Sequence, residues 1–185
     1  MKITTIGRGT VGGTLGRLWA AAGHEVTELG HEGGSAADAD VVLVAVPYQA
    51  LADALAGVTD LDGKVILDAT NRLDGSDPPA GYPSNAALVK AKTGGPTAKA
   101  FNLNFGALFE QAASAGSRPS HIWVGDEEAR AAVEQLTRDI GMEPLNGGSL
   151  ETAPAAEEFA KILMATVKDA GKGLLFYRFA APDEL

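Results

Sequence analysis

The stretch that most constrains this chain lies at its start, MKITTIGRGTVGGTLGRLW. A short β-rich run, Lys2–Ile6, passes at once into Gly7-Arg8-Gly9-Thr10-Val11-Gly12, and helical spacing then runs over Thr10–Ala22 through Val11, Leu15, Leu18 and Trp19. A strand that turns on glycines straight into a helix is the first half of a β–α–β unit. The helix start leaves free N–H groups and the positive end of a dipole, which suits an anion. In this setting G-x-G-x-x-G predicts a dinucleotide. Gly7 permits the tight turn, Gly9 lets the backbone approach a pyrophosphate, and Gly12 permits close helix–strand packing. Without a ligand the same residues make only a tight turn.

The rest of the chain continues the alternation. Gly23 ends the helix and Glu25–Leu29 reads as a strand, followed by HEGGSAADAD, too short and glycine-rich for more than a helical turn or two. Val41–Val46 is apolar throughout, as expected of a parallel strand covered on both faces. Tyr48–Ala56 reads as a short helix, Lys64–Ala69 as a strand, RLDGSDPPAGYPS as a loop and Asn85–Lys92 as a helix. Strands are expected at Thr97–Phe101 and His121–Val124. Asp126 is placed to cap a helix Glu127–Ile140 that Gly141 stops, and Met142–Leu145 gives a last, edge strand. From about Leu150 the pattern predicts one long helix, with Phe159, Ile162, Leu163, Val167 and Ala170 on one face. The fold class is therefore α/β, a doubly wound and mostly parallel sheet with a C-terminal helical segment. The expected division is residues 1–148 for the dinucleotide-binding domain and 149–185 for the helical extension.

Composition removes several chemistries. A chain of 185 residues without cysteine has no disulfide, thiolate metal site or cysteine nucleophile. The three histidines, His24, His31 and His121, lack metal-ligand spacing, and no G-x-S-x-G nucleophile elbow is present. A net charge of −9 argues against nucleic acid as a partner, and no apolar run has membrane-spanning length. The expectation is a cytoplasmic protein with a small-molecule substrate, no metal and no membrane. The paired carboxylates Glu127/Glu128 and Glu157/Glu158 sit in first turns of helices, where the dipole explains them.

Ligands of such sheets bind at the carboxyl ends of strands, near the reversal of strand order. Ala45-Val46-Pro47-Tyr48 ends the third expected strand, where proline turns the chain outward. Asp68-Ala69-Thr70-Asn71 and Lys99-Ala100-Phe101-Asn102 end the next two and offer polar groups at the same edge. Singly each is ordinary turn chemistry; together they suggest one crevice. The cofactor's 2′ position is read at the end of the second strand, near Gly30 and His31. No carboxylate sits squarely there, since Glu28 comes two residues early and Glu32 one or two late. Arg8 and His31 are placed to meet a 2′-phosphate, which favours NADP; the plain alternative makes both of them solvated loop residues.

The order GRGTVGGTLGRLWAAAGHEVTEL, ADVVLVAVPYQAL, KVILDATNRLDG, SNAALV, KAFN and HIWVGDEEARAAVEQLTRDIGMEPLNGG resembles the coenzyme F420-dependent NADP oxidoreductases, stand-alone Rossmann reductases. The resemblance is clear to about Gly148 and looser beyond. It implies NADP(H) across Gly7, Arg8, Gly9, Thr10, Val11 and Gly12, with Ala45, Val46, Pro47 and Tyr48 flanking the path from ribose to nicotinamide. Asn71 and Asn102 would border the place where hydride passes between nicotinamide and deazaflavin, and a homodimer is expected. Two departures stand out: Gly30-His31 replaces the family's usual Ser-Arg, and the linker between the second and third strands is short. Two other functions fit the same turn. One is NADPH-dependent reduction of another small unsaturated molecule, an imine or conjugated double bond, which needs a proton donor such as Tyr48, Tyr82 or Tyr177. The other is a non-catalytic NAD(P)-sensing module, which needs no open pocket beside the nicotinamide.

Overall fold

Val41–Val44 is buried at all four positions, and in the computed structural model this strand lies within a seven-stranded sheet. The structure describes residues 1–184; Leu185, the last residue of the expected helical segment, lies outside the described residues. The strands are β1 (Lys2–Ile6), β2 (Glu25–Leu29), β3 (Gly34–Ser35), β4 (Val41–Val44), β5 (Val58–Thr59), β6 (Val65–Asp68), β7 (Thr97–Lys99), β8 (Ser120–Gly125) and β9 (Glu143–Asn146). Five helices accompany them: α1 (Thr10–Ala21), α2 (Leu51–Ala56), α3 (Asn85–Thr93), α4 (Arg130–Asp139) and α5 (Ala153–Ala170). The main sheet runs β2-β1-β4-β6-β7-β8-β9. The first five of these are mutually parallel, β8 runs antiparallel to β7, and β9 is parallel to β8.

Helices cover both faces. On one, Leu15 and Trp19 of α1 and Val133 and Leu136 of α4 bury Phe101, Phe109 and Trp123. On the other, Leu51 and Leu55 of α2 and Leu88 and Val89 of α3 close over Val42, Val44 and Ile66. The fold is thus the α/β, mostly parallel, Rossmann-like sheet expected, with a C-terminal helix.

Several local expectations need correction. The short linker before β4 holds a strand rather than helical turns, since β3 pairs with β5 beside the main sheet. The stretch Gly106–Ser114 forms 3-10 turns that pack on α1. Asp126 does not cap the following helix with its side chain; its carboxylate accepts from Lys90 Nζ at 2.6 Å and from the Thr97 N–H at 2.8 Å. The last helix ends at Ala170, where Gly171 is left-handed, and its buried face is Ala153, Ala156, Glu157 and Ala160. The apolar face expected there includes Ile162, which is 59% exposed. Beyond α5 the chain returns across β8, where the Ser120 N–H donates to the Tyr177 carbonyl at 3.0 Å.

Candidate functional site

The order of the strands reverses between β1 and β4, which are neighbours although β2 and β3 intervene in sequence. A crevice at their carboxyl ends is therefore the ligand position of this fold. Gly7 has φ +99°, and a β-carbon there would lie 2.5 Å from the Ala45 carbonyl oxygen, so only glycine turns the chain here. A β-carbon on Gly12 would overlap the Gly7 carbonyl oxygen and come within 3.4 Å of the Ala45 methyl. Gly9 differs: nothing lies within 4 Å of a β-carbon built on it. It is the N-cap of α1, and no side chain caps that helix. Open space over uncapped helix N–H groups fits a pyrophosphate.

The turn separates two cavities. The first, about 440 Å³, is lined by residues that include Gly7, Arg8, Gly30, His31, Val46, Pro47 and Asp53. The second, about 180 Å³, is lined by Val11, Asn71, Asn102 and Gly106, and on the α5 side by Ala160, Leu163 and Met164. Gly9 and Thr10 are exposed between them. Gly12 is buried and Ala45 is partly buried.

Tyr48 stands aside from both cavities. Its hydroxyl donates to Asp74 Oδ2 at 2.8 Å, tying the loop after β6 to the end of β4. The Ser76 hydroxyl and backbone N–H, together with Tyr48, hold the Asp74 carboxyl down at about 2.

Asn71 and Asn102 face each other. Asn71 Nδ2 donates to the Asn102 carbonyl at 2.6 Å, and Asn102 Nδ2 donates back to Asn71 Oδ1 at 3.1 Å. The reciprocal pair fixes which way both amides point. It joins the ends of β6 and β7 at the mouth of the second cavity. The residue before Asn102, Phe101, holds a left-handed backbone with φ 60°, costly for a bulky side chain. Its N–H donates to His121 Nε2 at 3.1 Å, and the imidazole stacks on its ring at 4.4 Å between centroids. Burial pushes the His121 pKa down to about 3, so this acceptor stays neutral.

The expectation that Asp68 and Lys99 offer polar groups to the crevice is overturned. Both are fully buried, and Lys99 Nζ donates to Asp68 Oδ2 at 2.9 Å and also to the Thr70 carbonyl. Glu157 completes the group. It lies 3.2 Å from Lys99 Nζ, accepts from Arg72 Nη2 at 3.0 Å, and takes the Asn85 N–H at 2.8 Å. The dipole reading of Glu157 is therefore wrong; it is a buried counter-ion. Nothing in the sequence pairs residues so far apart, though a lysine within a buried strand is the one available signal.

At the end of β2 the two residues expected to meet a 2′-phosphate do come together, but around a carboxylate. Arg8 Nη2 lies 3.3 Å from Glu32, and His31 Nδ1 lies 3.3 Å from Glu32 Oε2.

The candidate proton donors are otherwise engaged. Tyr48 bonds Asp74, and the Tyr177 hydroxyl accepts from the Ile122 N–H at 3.2 Å and meets Asn104. Burial raises the Tyr177 phenol to about 12. Tyr82 packs on the α2–α3 side of the sheet.

Residues 27–72 match the family model for NADP oxidoreductase, coenzyme F420-dependent. Over 98% of this chain and 100% of the other, the structure is similar to a candidate F420-dependent NADP reductase from Arthrobacter sp. FB24, with TM-score 0.82 and 22% identity. It is also similar to the reductive aminase of Aspergillus terreus in complex with NADPH, with TM-score 0.65 and 17% identity over 91% of this chain and 61% of that one. The imine reductase of Streptomyces aurantiacus gives TM-score 0.64 and 15% identity over 90% of this chain and 61% of that one. This chain thus spans about three-fifths of the length of the latter two. At these identities the likeness is one of fold. The segment 27–72, which runs from β2 to the loop after β6, is the part of the chain that resembles the coenzyme F420-dependent NADP oxidoreductases.

Proposed function

We propose that this chain binds NADP(H) across its glycine turn and transfers hydride between the nicotinamide and coenzyme F420. The observation that carries this reading is the second cavity. It opens beside the turn, and its lining is apolar or amide, with no titratable side chain among the described residues. A nicotinamide bound there supplies the hydride itself. What remains for the protein is positioning. Gly7, Gly9 and Gly12 shape the pyrophosphate seat, with Arg8, Thr10 and Val11 between them, and Ala45 lies beneath. Val46, Pro47 and His31 wall the adenosine side. The mutually locked Asn71 and Asn102 amides border the hydride path, and Tyr48 steadies the loop above it.

Residues 1–148 hold the dinucleotide in this reading, and the segment from 149 supplies the α5 wall of the acceptor cavity. The protein acts as a cytoplasmic homodimer on a small-molecule substrate, without a metal.

An open cavity supports this reading over a sensing module, and an amide and apolar lining among the described residues supports it over an imine or enone reductase, which needs a proton donor. The test is NADPH oxidation followed by absorbance against a panel of F420, cyclic imines and conjugated enones. Turnover with F420 alone is the expected result. Turnover with an imine or enone in its place, or none with any acceptor, would overturn the F420 assignment.

A further inference from the structure

Gly30 follows the last residue of β2, and a β-carbon on it would lie 2.5 Å from Arg8 Nη2 and 2.5 Å from Glu32 Oε2. The Arg8–Glu32 pair therefore lies directly over this glycine, in space that any other side chain would occupy. Both Glu32 oxygens are used: Oε1 and Oε2 each lie 3.3 Å from Arg8 Nη2. His31 Nδ1 meets Oε2 from the other side at 3.3 Å. Arg8 and Glu32 are half-exposed, and the His31 ring is almost fully exposed. Arg8, His31 and Asp53 all line the first cavity.

This arrangement brings two opposed chemistries to one place. A carboxylate at the end of the second strand accepts a hydrogen bond from a ribose 2′-hydroxyl, whereas an arginine there accommodates a 2′-phosphate. Here one carboxylate holds the arginine. A 2′-phosphate must take Arg8 and His31 from Glu32 and then lie against a like charge. A 2′-hydroxyl meets an acceptor already in position.

We propose that Glu32 is the residue that sets this chain's choice of nicotinamide dinucleotide. Glu32 admits NADH by accepting from its ribose, and it weakens the grip of Arg8 and His31 on the 2′-phosphate of NADPH. The proposal rests on the dinucleotide reading of the glycine turn, and it predicts a protein that binds both cofactors with little preference.

Calorimetric titration of NADPH and NADH into wild type, Glu32→Gln and the double variant Glu32→Gln/Arg8→Leu tests it. Wild type should bind both, with dissociation constants within about tenfold of each other. Glu32→Gln should move the ratio at least about tenfold toward NADPH, the scale of one charge removed from beside a phosphate. The added Arg8→Leu change should cancel most of that gain. A ratio that Glu32→Gln leaves within about twofold of wild type, with both cofactors bound, overturns the proposal and leaves the dinucleotide reading intact. Failure of wild type to bind either cofactor overturns both. Because Glu32 is exposed and caps no helix, the melting temperature of Glu32→Gln should match wild type, so a change in the ratio reads recognition and not folding.

Discussion

Glu157 on α5 accepts from Arg72 Nη2 at 3.0 Å, and both side chains are buried, 1% and 3% exposed. The same carboxylate lies 3.2 Å from Lys99 Nζ, so one anion on α5 meets a cation from β7 and another from the loop after β6. Asp68 is the only other carboxylate in the group. Removing one partner of a buried pair leaves charge without compensation, at a cost of about 3–5 kcal/mol. Glu157→Ala should lower unfolding stability by that amount in urea titration. A loss below about 1 kcal/mol, the value of an exposed pair, would show that water reaches the cluster.

Gly9 should report on ligand binding alone. Its φ is −77° and no atom lies within 4 Å of a β-carbon there, so Gly9→Ala adds a methyl group to open space. Folding should be unaffected, whereas approach of a pyrophosphate to the backbone should be blocked. The expected result is an unchanged melting temperature with cofactor affinity reduced at least about tenfold by calorimetry. Unchanged affinity would remove the dinucleotide from this turn. Gly12→Ala makes the contrast, because its β-carbon would overlap the Gly7 carbonyl and disturb the turn itself.

The glycine turn, the alternation of strands and helices and the two-faced core were legible in the sequence because each has a local cause. Glycines mark the turn, the all-apolar Val41–Val44 marks a doubly covered strand, and Gly141, with φ +81°, marks the end of α4. The direction of β8 was not legible. A parallel return needs a crossover element of a dozen or more residues, usually a helix; the segment from β7 to β8 forms 3-10 turns against α1 instead, and β8 enters antiparallel. The buried face of α5 was misread for a related reason. Apolar periodicity pointed to Phe159 and Ile162, but Glu157 decides the face by pairing with Arg72 and Lys99, remote in sequence. At the site, the sequence brought Arg8 and His31 together at the end of β2, and the structure does so too. That Glu32 bridges them follows from the small size of Gly30, which only the structure shows.

His121 should make the protein sensitive to mild acid. Its pKa falls from an ordinary 6.5 to about 3 because burial excludes the charged ring. The unfolded chain therefore binds a proton below about pH 6.5 that the folded chain refuses until about pH 3. The contribution is fully present above the unfolded value and is lost as pH falls through this window, by about 1.4 kcal/mol per pH unit. Between pH 6.5 and 5 few ordinary carboxylates titrate, so a loss of about 2 kcal/mol over that interval isolates the histidine. Chemical denaturation at several pH values measures it. A flat profile there would mean that the ring is protonated in the folded state and that Phe101 has lost its neutral acceptor.

The surface around α5 bears on oligomeric state. Ile162 of α5 is 59% exposed and Leu73 48%, although both are large and apolar. Leu73 also borders the second cavity together with Leu163 and Met164 of α5, so an apolar surface continues from the cavity mouth onto the helix. A second copy seated there by a two-fold axis would cover this surface and close the outer wall of the second cavity. Deleting the chain after residue 148 is a poor test, since it would remove Glu157 and strand Arg72 and Lys99 without their carboxylate. Ile162→Asp is cleaner, because it places a charge on the exposed face and leaves the buried ion pairs alone. Light scattering should give a dimer for wild type at micromolar concentration and a monomer for the variant, with melting of the monomer still cooperative. A wild-type monomer would rule the dimer out, and a variant that still dimerises would move the interface off α5.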